Sequence, residues 1–278
     1  MEPHPSSEAA HSPGMPDSAS RVRGHFAFPN LVVIGAMKCG TSALHRYLGM
    51  HPEVAMSEPK ELNFFFGPAR DSDQVPVVDE WSSGGPSAGN WHRGREWYVR
   101  HFPAEATVRG ESSPGYTSPS FPRVAQRMAA MIPDASLVYL VRDPIDRAIS
   151  QYRHHLADGV ETRALEEAVL DPDSQYVSRG RYHERLEPFL RCFDRRQIAI
   201  AAREELLIDR RATLRRLFSW LGVDEGFWSR ELGRPWHASN GRPQRAGSRL
   251  RGALSEAFDD DADRLRRVAG RDFPGWSV

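Results

Sequence analysis

Lysine is almost missing from this chain. Of 37 basic side chains, 35 are arginine and two are lysine, Lys38 and Lys60. Net charge is missing as well: 37 acidic residues balance the 37 basic ones, so nothing global draws the chain to nucleic acid or to an anionic membrane. Cysteine is confined to Cys39 and Cys192, too few for a disulfide framework, and no Cys/His cluster has metal-ligand spacing. No apolar run approaches the ~20 residues of a membrane helix. No apolar segment follows a basic start at the N-terminus, as a signal peptide would require. These absences point to a cytoplasmic protein without membrane insertion. Oligomeric state is not legible.

The two surviving lysines fall inside strings that read as chemistry. An ammonium is a compact point charge and a guanidinium a planar fork, so they are not interchangeable where one oxygen must be met at close range. Lys38 lies in Leu31-Val-Val-Ile-Gly-Ala-Met-Lys-Cys-Gly-Thr-Ser42, an apolar run entering a glycine-bounded turn. Lys60 lies in Glu58-Pro-Lys-Glu-Leu-Asn-Phe-Phe-Phe66.

Residues 1–25 are rich in Pro, Ser, Glu and His without apolar period and read as a disordered tail. Residues 26–278 form one domain, long enough to bury a substantial core. Continuous apolar runs at Leu31 to Ile34 and Ser136 to Val141 read as buried parallel strands, with further strands at Ala106 to Gly110 and Gln197 to Ala202. Helical spacing recurs over 41–50, 96–102, 122–131, 145–156, 182–193 and 212–221, and twice near the end, over 250–258 and 262–268. Residues 67–95 read as a loop. Strands alternating with helices give an α/β fold with a mostly parallel, P-loop-like central sheet, its ligands at the C-terminal strand ends.

Gly35-Ala-Met-Lys-Cys-Gly-Thr-Ser42 carries the glycine skeleton of a Walker A loop, whose amides point at an anion from a helix start. The lysine, however, stands ahead of the second glycine, and Thr41 occupies the Walker lysine's place. A nucleoside triphosphate also needs Mg²⁺ and an acidic strand end to hold it; the Ser136 to Val141 strand ends in Arg142. There a guanidinium offers a fork for phosphate, and Ser150 lies about two helical turns further on. Trp91, Arg95, Trp97 and Tyr98 could face sugar rings or acidic groups, but the Trp97-Tyr98 pair reads better as core. Cys39 is either a thiol activated by the helix start and lysine or, the better reading, a small side chain where small is needed.

The loop Lys38-Cys-Gly-Thr-Ser42 after an apolar strand resembles the 5′-phosphosulfate loop of the sulfotransferase family, whose donor is 3′-phosphoadenosine 5′-phosphosulfate (PAPS). The closer likeness is to the branch acting on glycosaminoglycans and related glycans. The resemblance implies that Lys38, Cys39, Gly40, Thr41, Ser42 and Ala43 bind the donor. Arg142 and Ser150, in Arg142-Asp-Pro-Ile-Asp-Arg-Ala-Ile-Ser150, resemble the family's 3′-phosphate motif. Gly241 and Arg242 resemble its late Gly-Arg loop, although Asn240 stands where that branch often has lysine. Glu111, in Glu111-Ser-Ser-Pro-Gly-Tyr116, resembles the string whose glutamate is the base, with Ser112 where lysine is usual. Lys60 resembles the lysine of the family's Lys-Glu-x-x-Phe-Phe string and is assigned to the sulfuryl group or the acceptor. Beside it, Glu61 either holds that lysine or makes a structural pair. Gly270-Arg-Asp-Phe-Pro-Gly-Trp276 is similar to family C-termini.

The implied reaction moves a sulfuryl group from PAPS to a hydroxyl, or less often an amine, of a glycan, glycolipid or small-molecule acceptor, with Glu111 as base, Lys38 and Lys60 at the transferring group, and no metal. The alternatives are a Mg-ATP-dependent P-loop kinase and a non-catalytic nucleotide-binding domain.

Overall fold

The computed structural model describes residues 26–67, 89–171, 173–236 and 246–278. The tail expected over 1–25 and the expected donor residues Gly241 and Arg242 lie outside them.

Five short segments, all apolar but β3, form one sheet: β1 (Leu31–Gly35), β2 (Val54–Met56), β3 (Val108–Ser112), β4 (Ser136–Val141) and β5 (Ile198–Ala202). Their order is β2-β3-β1-β4-β5, and every pairing is parallel. The sheet is covered on both faces, so its centre carries no polar alternation. All five residues of β1 and the last five of β4 are buried. β2 was not expected: three residues are too few to show a period, and only pairing with β3 makes them a strand.

The helices are α1 (Thr41–Leu48), α2 (Gly94–Val99), α3 (Val124–Met131), α4 (Pro144–Ala157), α5 (Leu165–Leu170), α6 (Gln175–Ser178), α7 (Tyr182–Leu190), α8 (Arg203–Ile208), α9 (Arg210–Leu221) and α10 (Ser248–Ala269). The two helices expected at the end are one, α10. Leu250, Leu254, Phe258, Ala262 and Leu265 keep a single buried stripe through the Asp259 to Asp261 run. Asp261 is used rather than helix-breaking: its carboxylate accepts the amides of His183 and Glu184, both at 2.9 Å, at the start of α7. Ile145, Ala148 and Ile149 of α4 join Ala168, Tyr176, Leu250 and Phe258 in a second core beside the sheet. Among the described residues no helix is long and apolar enough to cross a membrane.

Parallel order sends every strand's C-terminus to one edge. The turns after β1, β3, β4 and β5 and the segment after β2 therefore meet there, although they are far apart in sequence.

Candidate active site

β1 delivers the chain into the loop at Gly35, where a side chain cannot be placed: a Cβ would stand 2.5 Å from Thr117 Oγ1 and 2.8 Å from a Tyr139 ring carbon. Lys38 (φ 66°) and Gly40 (φ 95°) adopt left-handed backbone, which turns the loop back on itself before α1. No side chain caps α1 at Gly40; the Ala43 and Leu44 amides donate to the Gly40 carbonyl, which leaves the Thr41 and Ser42 amides as donors for an anion.

The Lys38 ammonium makes no hydrogen bond or ion pair among the described residues. Burial lowers its pKa, Asp158 and Glu61 pull the other way, and Arg142 adds to the lowering. Cys39 is fully buried, 3.4 Å from the Tyr182 hydroxyl. Burial pushes its thiol up to about 11, so the helix start does not activate it and the space-filling reading holds. Thr41 is buried, Ser42 exposed and Ala43 between the two.

Arg142 reaches this loop across 104 residues, its Nη1 donating to the Lys38 carbonyl at 3.5 Å. Its Nη2 lies 3.6 Å from Asp146, while its buried Nε has no partner among the described residues. Asp143 caps α4 by accepting the Asp146 amide at 2.8 Å. The other Asp143 oxygen accepts from the amide and hydroxyl of Ser277 at 2.6 and 2.7 Å, which brings the C-terminal segment against the start of α4. Ser150 is partly exposed on α4. Arg147, between them, is fully buried and spent on structure: it donates to Gln151 at 2.6 Å and to the Tyr176 carbonyl.

Glu111 sits in a different environment from the one expected of a base. It is fully buried. Oε1 accepts from the hydroxyls of Tyr98 at 2.5 Å and Tyr116 at 2.7 Å, and Oε2 from Ser113 at 2.7 Å. Burial raises its pKa, against the pull of those three donors. Tyr98 itself stacks on Phe64 at 4.1 Å, so the Trp97-Tyr98 pair is core, as read from the sequence. Arg93 lies over Trp97 at 4.5 Å and Arg127 over Trp91 at 4.7 Å.

The segment after β2 folds over the end of β3. Glu61 donates its amide to the Ser112 carbonyl at 3.0 Å, Asn63 its amide to Ser113 Oγ at 3.0 Å, and Phe64 its amide to the Tyr116 hydroxyl at 2.9 Å. Glu61 and Asn63 take left-handed backbone to do so. Lys60 pairs with Glu61, and the Glu61 side chain keeps 35% of its exposure. His45 of α1 shares a hydrogen bond with Ser112 Oγ at 2.9 Å. Burial, then the Lys60 charge, lowers its pKa to about 4, so near neutral pH it is an uncharged bridge.

Three groups at this edge were not singled out from the sequence. Arg203, directly after β5, lies beside Gly40; an apolar strand followed by arginine, as at Arg142, was the signal available. Arg179 is buried against Met37 of the loop at 3.6 Å and Ser118 at 3.1 Å. His154 faces Asp158 at 3.5 Å near the end of α4, within electrostatic reach of Lys38.

The edge thus divides. Cationic groups of the β1 loop and the β4 and β5 tips stand together, and the Lys60, Glu61 and His45 group stands on the β2 and β3 side.

The chain is 29% identical over 239 residues to the Caenorhabditis elegans bifunctional heparan sulfate N-deacetylase/N-sulfotransferase 1, covering 80% of this chain and 25% of that protein. It is 29% identical over 235 residues to the mouse heparan sulfate glucosamine 3-O-sulfotransferase 3B1, covering 78% and 53%. The chain therefore spans between a quarter and about half the length of these relatives. The crystal structure of a sulfotransferase from Alicyclobacillus acidocaldarius superposes with a TM-score of 0.74 at 29% identity, covering 91% of this chain and 100% of that one. Residues 29–229, from just before β1 to beyond α9, match the sulfotransferase family, and the chain belongs to it.

Proposed function

We propose that this protein transfers a sulfuryl group from PAPS to a hydroxyl, or an amine, of a glycan, glycolipid or smaller acceptor. The observation that carries this reading is the meeting of Arg142 with the carbonyl of Lys38, which sets a guanidinium and an unpaired ammonium at one anion-sized edge beside an uncapped helix start.

The residues fit such a donor. The buried Arg142 Nε, without a partner among the described residues, and the half-buried, unpaired Lys38 ammonium are donors that an anionic ligand would satisfy. Lys38, Cys39, Gly40, Thr41, Ser42 and Ala43 would hold the 5′ end through backbone and ammonium, and Arg142 with Ser150 the 3′-phosphate. Gly241 and Arg242 stay in this set on family likeness. When bound, the donor supplies the sulfuryl group; the chain supplies charge and proton handling. Lys38 and Lys60 meet the negative charge that grows on the transferring and leaving oxygens.

The base is assigned to Glu61 rather than to Glu111. Three buried hydroxyls already donate to Glu111, two to Oε1 and one to Oε2, and the side chain is fully buried. Glu61 is the partly exposed carboxylate near the two lysines, and it can take the acceptor's proton within hydrogen-bond reach. Glu111 instead anchors the hydroxyls of Tyr98, Ser113 and Tyr116 under the segment that carries Lys60 and Glu61. The relatives' names, which refer to heparan sulfate, support a glycan acceptor.

Calorimetry without magnesium tests the donor reading, titrating 3′-phosphoadenosine 5′-phosphate and ATP into wild type and Arg142→Ala. Selective binding of the bisphosphate, lost in the variant, is expected. A preference for ATP that emerges only with Mg²⁺ would sink the reading in favour of a kinase.

A further inference from the structure

Arg203 follows β5 as Arg142 follows β4. These strands pair with Val141 opposite Ala202, so the two arginines leave neighbouring strand tips, about 4.8 Å apart in the pairing direction. The Arg203 stem lies across the β1 loop: a Cβ on Gly40 would stand 3.6 Å from its Cδ and 3.8 Å from its Cγ and Nε. These are ordinary van der Waals distances, so the Arg203 stem lies alongside the loop at Gly40.

Arg203 is half-buried, yet it makes no hydrogen bond or ion pair among the described residues. The carboxylates around it are committed elsewhere. Glu204 accepts from the Asp143 amide at 3.2 Å and from Trp276 Nε1 at 3.4 Å. Asp146 faces Arg142 at 3.6 Å and Arg251 at 3.9 Å. Both Asp143 oxygens are taken by Asp146 and Ser277. Burial lowers the Arg203 pKa, and the neighbouring Arg142 charge lowers it further. Like charges side by side on paired strands are destabilising; Asp146 faces Arg142 at 3.6 Å, while among the described residues no carboxylate forms an ion pair with Arg203 to relieve the repulsion. A dianion lying between two guanidinium forks would do so.

We infer that Arg203 is a second guanidinium for the 3′-phosphate of the donor, closing on that group from the β5 tip while Arg142 meets it from the β4 tip. This inference rests on the donor reading proposed above. It distinguishes a residue that recognises the phosphate from one that only packs on Gly40. Because the loop holds the 5′ end, the loss of Arg203 is felt by a nucleotide with a 3′-phosphate and hardly by one without.

The experiment titrates 3′-phosphoadenosine 5′-phosphate and adenosine 5′-phosphate separately into wild type, Arg203→Ala and Arg203→Lys, with the Tm of each ligand-free protein measured alongside. Arg203→Ala is expected to weaken the bisphosphate by about 10- to 100-fold and the monophosphate by less than about threefold. Arg203→Lys, which keeps the charge without the fork, falls between. The ligand-free Tm of Arg203→Ala is expected at or above that of wild type, because a repulsion with Arg142 is removed. Equal loss for both nucleotides, or no loss for either, overturns the inference and leaves the donor reading standing. A ligand-free Tm well below wild type makes Arg203 a packing residue and overturns it too. Failure of wild type itself to prefer the bisphosphate refutes the donor reading.

Discussion

Replacing Glu61 and Glu111 one at a time separates a reacting carboxylate from a structural one. Glu111→Ala would leave the buried hydroxyls of Tyr98, Tyr116 and Ser113 without their acceptor. At about 1–3 kcal/mol for each unsatisfied group, with some relaxation, the cost is about 3–6 kcal/mol. For a chain of this size that lowers Tm by on the order of 10 °C or more, so an alanine scan alone would mistake Glu111 for a catalytic residue. Glu111→Gln keeps one carbonyl oxygen for the two tyrosines and is expected to cost about 1–2 kcal/mol. Its kcat should stay within about tenfold of wild type, since no reacting proton is lost. Glu61→Gln should leave Tm unchanged and lower kcat by about 10²- to 10⁴-fold.

The activity readout is release of 3′-phosphoadenosine 5′-phosphate from PAPS, with a desulfated heparan oligosaccharide as acceptor; the stability readout is thermal unfolding by circular dichroism. pH adds a signature of its own. Burial raises the Glu111 pKa, so the folded state keeps that proton to higher pH than the unfolded chain, whose carboxyl titrates near ~4.3. Wild type therefore loses stability relative to Glu111→Gln as pH rises from the unfolded value through the raised folded one, and the difference levels off above it. A stable Glu111→Gln protein with its kcat down about 100-fold or more, beside a fully active Glu61→Gln, would refute the assignment.

Three further outcomes are expected. In the native protein a thiol reagent at pH 8 should modify the partly exposed Cys192 and spare Cys39, whose thiol is buried and held near 11; mass spectrometry reads this, and comparable labelling of both would contradict the geometry. Gly35→Ala should destabilise by about 1–3 kcal/mol, because its Cβ would collide with Thr117 and Tyr139; an unchanged urea midpoint would show that the neighbours give way freely. Arg163 holds the Glu161 carboxyl down to about 2, a depressed folded value whose contribution is present above the unfolded pKa and lost as pH falls toward 2. Arg163→Ala should accordingly raise the acid-unfolding midpoint, and identical acid titrations of the two proteins would rule out that linkage.

Much of the sheet could be read in advance because a strand buried on both faces is written as an unbroken apolar run. Leu31 to Ile34 and Ser136 to Val141 show this, and the residues just after them, Lys38 and Arg142, face the same edge. β2 could not be read, since three residues carry no period and the strand exists through its ladder to β3. α10 joins the two helices expected over 250–258 and 262–268, because Asp261 caps another helix and the apolar stripe continues beneath it.

The chain's own order of residues determined the elements, the glycine loop and the chemistry placed at strand ends, because these follow from local backbone freedom and from patterns a few residues long. Only the tertiary structure decided which of two glutamates is buried beneath hydroxyls and which stays partly exposed. The sequence marked Glu111 by its motif and Glu61 as a partner of Lys60, whereas the fold brings three hydroxyls from a helix, a turn and a strand end onto Glu111 and leaves Glu61 partly exposed. The neighbourhood of Arg142 and Arg203 was decided the same way: a register between strands set far apart in the chain placed two like charges together, and long-range pairing of that kind leaves no local signature.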